Sequence, residues 1–184
     1  MTNTSNPSDA GTPSREPGQG LTKEQAFHRL LEGHWRYLEN QRLHRQVTSE
    51  NRSLHAQGQY PFAALLGCAD SRVSPEHIFD QGEGDIFVVR VAGNIVGEAE
   101  LASLEYAVGN LGVKLLVVMG HENCGAVKAA LTVHDAPGAM GYLLREIAPA
   151  VAEARVLPGP LLDAAVNCNV KHSVSPFEDC RACS

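Results

Sequence analysis

The stretch Phe62-Ala63-Ala64-Leu65-Leu66-Gly67-Cys68-Ala69-Asp70-Ser71-Arg72 decides the fold. An apolar run ends on a thiol, a carboxylate and a guanidinium set close together. The pattern recurs at Val113 to Met119, which leads into Gly120-His121-Glu122-Asn123-Cys124. Short runs rich in Val, Leu and Phe mark strands buried on both faces of a parallel sheet. Both clusters therefore fall where a strand ends and a turn begins, the edge at which open α/β sheets bind ligands.

Asp85 to Val91 reads as a further strand, ended by Ala92-Gly93-Asn94. Ser74-Pro75 opens a short helix after the first cluster, with serine as cap and proline at the first helical position. Leu101, Leu104, Ala107, Val108 and Leu111 recur at helical spacing over Glu98 to Leu111, and Gly112 suits the C-terminal cap. Cys124 to Thr132, Tyr142 to Ala154 and Leu161 to about Val170 read as further helices. Upstream, Thr22 and Gln25 form a capping-box signal for a helix whose apolar stripe is Phe27, Leu30, Leu31, Trp35 and Leu38. That stripe suits either the domain's own body or a second subunit. Residues 47–59 are polar with weak periodicity. Strands alternating with helices predict an α/β domain with a parallel β-sheet flanked by helices over residues 21–174. Residues 1–20, poor in large apolar side chains, read as a disordered tail.

Composition narrows the function. A chain of 184 residues suits one domain, and 43% hydrophobic with 20% charged residues is ordinary for a globular protein. A net charge of −6, with the fifteen Lys and Arg in no block, gives no reason to expect nucleic acid. No apolar run reaches the roughly 18 to 20 residues of a membrane span, and no basic-then-apolar leader opens the sequence. Five cysteines, an odd number, argue against a disulfide framework. Cytoplasmic localisation is the expectation, with thiols available to metal.

Alternate residues of an extended segment face one way, so Cys68, Asp70 and Arg72 are expected to project together. Asp70 and Arg72 suit a bidentate pair. The three-residue step from His121 to Cys124 covers about one helical turn, which brings both to one side. Two cysteines and a histidine are three ligands, and three protein ligands plus a solvent position is the pattern of catalytic zinc. Two thiolates neutralise Zn2+, and the metal acidifies a bound water to give a hydroxide nucleophile. Singly, each cluster has a plain reading: a buried cysteine is usually a small hydrophobe, and an Asp–Arg pair is usually structural. Together, at the ends of two parallel strands, they are far more specific.

Cys68-Ala69-Asp70-Ser71-Arg72, Phe87-Val88-Val89-Arg90 with Ala92-Gly93-Asn94, Glu105-Tyr106-Ala107 and Gly120-His121-Glu122-Asn123-Cys124-Gly125-Ala126 resemble, in order and spacing, the β-class carbonic anhydrases. The resemblance runs from about residue 22 to 174. It implies reversible hydration of carbon dioxide to bicarbonate and a proton by a zinc-bound hydroxide. (The acidification of zinc-bound water is best known from carbonic anhydrases with three histidine ligands.) It also implies Cys68, His121 and Cys124 as the Zn2+ ligands, with Asp70 and Arg72 as the catalytic dyad. Asp70 is a potential fourth ligand in a closed state. Gln59, Phe87 and Tyr106 match substrate-pocket positions, although periodicity alone would give the two aromatics to the core. The family's pocket lies at a dimer interface, so a homodimer or higher homo-oligomer is expected.

The resemblance stops before the family's last helix and edge strand. Residues 175–184 read as an atypical tail, neither apolar nor periodic, with Cys180 and Cys183 lacking a partner pair. Codon degeneracy permits, one nucleotide out of frame after about Val174, a string like the family's next helix. The expectation is a frameshifted, shortened chain without that helix and strand. The alternatives to a working zinc lyase are a truncated, inactive or poorly folding zinc binder, or a hydrolase of a related small molecule such as carbon disulfide.

Overall fold

The computed structural model describes residues 21–43, 48–133 and 136–178. The tail expected at 1–20 and the chain beyond residue 178, with Cys180 and Cys183, lie outside the described residues. Three parallel strands, β1 (Ala63–Cys68), β2 (Ile86–Val91) and β3 (Leu116–Met119), form the sheet among the described residues, in the order β2-β1-β3. The central β1 is buried at every position, and Leu65 and Leu66 rank among the largest fully buried side chains. Each contributes about 1.5 to 3 kcal/mol by leaving water. The register pairs Gly67 with Met119 and Cys68 with Val91, so the ends of β1 and β3 lie side by side. This is the α/β architecture that the alternating pattern predicts.

Helices α1 (Lys23–Leu38), α2 (Ser49–His55), α3 (Pro75–Ile78), α4 (Glu98–Gly109), α5 (Gly125–Thr132), α6 (Ala139–Ala154) and α7 (Leu161–Glu178) complete the domain. Alternation along β1 divides the core. Ala64 and Leu66 join Leu104 and Ala107 of α4, whereas Ala63 joins Leu30 of α1. A third cluster, built from α5, α6 and α7, takes in Cys68 and Cys124. The two cysteines among the metal-ligand candidates are thus rooted in the core. No helix among the described residues is long and apolar enough to cross a membrane.

Several local readings change. Thr22 and Gln25 make the reciprocal capping bonds expected of them, but of the apolar stripe on α1 only Leu30 is fully buried against this chain. Ala26, Leu30 and Gly33 pack inward, and Phe27, Trp35 and Leu38 are exposed. Gly33 sits so close to the chain that a Cβ would overlap the Phe79 carbonyl, so the small residues, not the large ones, set this contact. A short helix, α2, occupies part of the polar segment at 47–59.

The largest difference is at the end of α7. The sequence reading stops this helix near Val170 and makes 175–184 an atypical tail, yet the helix continues to Glu178 and Phe177 is buried with Leu66 and Leu104. Two buried polar residues, Asn169 and Ser173, occupy inward positions and erase the apolar periodicity there. Pro176 is tolerated near the helix end at the loss of one backbone hydrogen bond.

Candidate metal centre

The ligand atoms of Cys68, His121 and Cys124 lie within 4.8 Å of one another. Cys68 closes β1, and Cys124 is the N-terminal cap of α5. The two sulfurs are 3.9 Å apart, matching the edge of about 3.8 Å that a tetrahedral zinc with bonds of about 2.3 Å requires. His121 Nδ1 lies 2.9 Å from the Glu122 carbonyl, so Nδ1–H donates there and the Nε2 lone pair remains for a metal. Nε2 is buried and has no hydrogen-bond partner. A buried orphan nitrogen facing two thiols is the donor set that a borderline-soft cation satisfies, so these residues fit a zinc ion.

His121 and Cys124 meet through a turn, not through the helical step read from their spacing. Asn123 between them has φ 55°, a left-handed conformation that asparagine tolerates. Asp70 and Arg72 likewise meet through a turn, not through strand alternation. The Arg72 backbone N–H donates to Asp70 Oδ1 at 3.0 Å, closing an Asx turn. The Arg72 side chain then grips the same carboxylate through Nε to Oδ1 at 2.9 Å and Nη2 to Oδ2 at 2.7 Å. Nη2 also donates to the Asn123 carbonyl at 3.3 Å, tying the two loops together. Asp70 Oδ2 is 3.9 Å from His121 Nε2, so the dyad lies beside the three-ligand group.

The charges follow from these contacts. Arg72 holds the Asp70 carboxyl well below the usual carboxylate range, by its side chain first and its backbone N–H second. The Cys124 thiol, assisted by the Asp70 and Gly93 N–H groups, brings Cys68 down to about 4, whereas Cys68 and burial push Cys124 up. Before metal binds, Cys68 is ionised above about 4 and Cys124 stays protonated, so the pair shares one proton at neutral pH. A metal must displace that proton. Metal uptake near pH 8 is therefore expected to release about one proton from the pair. Calorimetry in buffers of different ionisation enthalpy counts the total, from which the proton lost by the metal-bound water is subtracted, and release of two from the thiol pair itself would refute the shared proton.

Other residues reach the centre without a signal in their spacing. Arg90 Nε donates to the Cys68 carbonyl at 2.9 Å and Nη2 to the Asp70 carbonyl at 2.6 Å, bracing the loop between Cys68 and the Asp70–Arg72 pair. A charged residue inside the apolar run Phe87 to Val91 is the available clue, because such a residue needs partners. The Gly93 N–H donates to Cys68 Sγ at 3.3 Å.

The pocket residues stand elsewhere. Gln59 is exposed just before β1. Phe87 pairs in register with Ala64, four residues before Cys68, which is roughly 13 Å along the strand. Its ring meets that of Tyr106 on α4, with centroids 6.5 Å apart, and Tyr106 is 48% exposed. Within one chain these residues do not gather at the candidate metal centre.

Comparison with known proteins agrees with this geometry. The family described as Carbonic anhydrase matches residues 63–179. Carbonic anhydrase 2 of Mycobacterium tuberculosis is 45% identical over 132 residues, 72% of this chain and 64% of the relative. The chain thus spans under two thirds of that relative's length. A Coccomyxa β-carbonic anhydrase, solved with acetazolamide, is 35% identical with a TM-score of 0.60, over 66% of this chain and 59% of the other. A tetrameric β-carbonic anhydrase from Sordaria macrospora is 25% identical with a TM-score of 0.65, over 85% and 83%. With its parallel sheet and its Cys-His-Cys group at the strand ends, the chain belongs to the β-class carbonic anhydrase family.

Proposed function

We propose that the chain holds Zn2+ through Cys68, His121 and Cys124 and interconverts carbon dioxide and bicarbonate. The observation that carries this reading is the three-ligand group lying against the Asp70–Arg72 pair. When bound, zinc supplies the Lewis acidity that lets water ionise near neutral pH. Asp70 Oδ1 already accepts two hydrogen bonds and Oδ2 one. One acceptor position therefore remains on Oδ2. That position takes the O–H of the attacking water and turns an oxygen lone pair toward carbon dioxide. Arg72 keeps the carboxylate charged and aimed. The balance is carbon dioxide plus water giving bicarbonate and a proton, which leaves to solvent. Released from Arg72, the same Oδ2 is the atom that would close the metal site.

The chain acts as a homodimer or higher oligomer in this reading, with Gln59, Phe87 and Tyr106 serving the partner's pocket. Phe27, Trp35 and Leu38, exposed along α1, and half-exposed Tyr106 support an interface. The unpaired thiols of Cys68, Cys124 and Cys168 suit a reducing cytoplasm. Stopped-flow hydration of carbon dioxide by the zinc-loaded chain, with its mass in solution measured by sedimentation, tests both parts. Chelator-sensitive turnover by an oligomer is expected. Stoichiometric zinc without turnover overturns the activity, and an active monomer removes the role given to a second subunit.

A further inference from the structure

The face of α7 made by Val166, Asn169, Val170 and Ser173 points at the two loops that carry the candidate ligands. These residues fall at helical spacing on one side. A Cβ on Gly120, immediately before His121, would meet Val170 at 2.5 Å and Val166 at 3.4 Å. The Gly93 loop under Cys68 is held differently, by a polar network. Asn169 Nδ2 donates to the Gly93 carbonyl at 2.6 Å. Ser173 Oγ donates to the Asn169 carbonyl at 2.8 Å and accepts from Asn94 Nδ2 at 3.5 Å. Asn94, Asn169 and Ser173 are 2%, 2% and 5% exposed. A buried network with every member paired fixes one conformation, and losing a member leaves buried polar groups unpaired.

That conformation uses the left-handed backbone that glycine adopts freely and asparagine tolerates. Gly93 has φ 70° and Asn94 has φ 45°, two successive residues in the left-handed region. Gly93 has no room for a side chain, since a Cβ would lie 2.8 Å from Ile147 and 3.1 Å from Ala126. The consequence reaches the metal centre through one bond, the Gly93 N–H to Cys68 Sγ. Hydrogen bonds to a ligand atom orient it and tune its basicity, so the groups that set them control metal affinity.

We propose that Asn169 is a positioning residue of the metal centre: by gripping the Gly93 carbonyl it aims the Gly93 N–H at the Cys68 sulfur. This rests on the reading of Cys68 as a metal ligand. Asn169→Ala removes the grip. Asn169→Asp keeps the shape but turns a carboxylate oxygen toward the Gly93 carbonyl, replacing attraction by repulsion. Both are expected to weaken zinc affinity by about 10- to 100-fold in chelator competition. Both are also expected to shift the thiolate-to-metal absorption of the cobalt-loaded chain. Phe177→Leu is the control on the same helix, since it loosens packing against Leu66 and Leu104 without touching the network. It should leave affinity and absorption as in the unmodified chain. Ser173→Ala, which trims only the far end of the network, is expected to give a smaller loss in the same direction. It decides the matter if the Asn169 variants do not fold.

Unchanged affinity and absorption in every foldable Asn169 and Ser173 variant overturn the proposal while leaving the metal site intact. An equal effect from Phe177→Leu overturns it too, because helix packing would then suffice. A chain that takes up neither zinc nor cobalt before any substitution overturns the metal reading itself, and this inference with it.

Discussion

Cys124→Ser is expected to cost the chain its metal. A serine hydroxyl does not ionise as a thiol does, so the change deletes one ligand and one negative charge together. Two thiolates neutralise a divalent ion. With one left, the ion would sit with net positive charge beside Cys68 and Cys124 positions only 4% and 1% exposed. An uncompensated charge in such surroundings is strongly disfavoured. Loss of a hydrogen-bonding neighbour to a ligand typically costs about 10- to 100-fold in affinity, and loss of the ligand itself should exceed about 100-fold on the same scale. Metal analysis after gel filtration measures it. The fold itself should survive, since serine nearly preserves the volume in the α5–α7 cluster. Far-UV circular dichroism distinguishes metal loss from unfolding. One zinc per chain retained by Cys124→Ser would remove Cys124 from the ligand set.

The Cys68-His121-Cys124 cluster was legible in the sequence because topology did the work that spacing could not. Apolar runs ending on Cys68 and before His121 imply parallel strands, and parallel strands bring their ends to one edge. The local geometry read from spacing was wrong in both clusters. His121 and Cys124 meet through a left-handed Asn123, and Asp70 meets Arg72 through an Asx turn. In each case the residue type carried the signal, because Asn tolerates positive φ and Asp closes such turns. The last part of α7 was illegible for the opposite reason. Its inward positions at Asn169 and Ser173 are polar, and their value lies in bonds to Gly93 and Asn94, distant in sequence. On α1, the contact with the Phe79 backbone is set by Gly33, whose lack of a side chain admits it and leaves no apolar signal in the periodicity.

Asp70→Asn separates the chemistry from the metal. Asp70 is not among the three clustered ligands, so zinc stoichiometry should stay at the unmodified level. Turnover should not. The asparagine oxygen can keep one of the bonds from Arg72, but its amide N–H groups then face the other Arg72 donor. The bidentate grip is lost, and with it the charged acceptor that would take the O–H of the attacking water. General acid–base groups contribute about 10²- to 10⁴-fold, so kcat/KM is expected to fall within that range. The alternative for this pair is a structural ion bridge. Arg72 is 62% exposed at its side chain, and exposed pairs contribute little to stability. On that alternative the variant would lose only a little stability and keep its turnover. The pH profile gives an independent check. Because Arg72 depresses the Asp70 carboxyl, this group stays ionised above the ordinary carboxylate value of about 3.9 and adds no acidic limb at higher pH. It protonates, and its contribution fades, only as the pH falls below that value. An activity loss near pH 5 traced to Asp70, or an Asp70→Asn chain with full zinc and full turnover, would return the pair to a structural role.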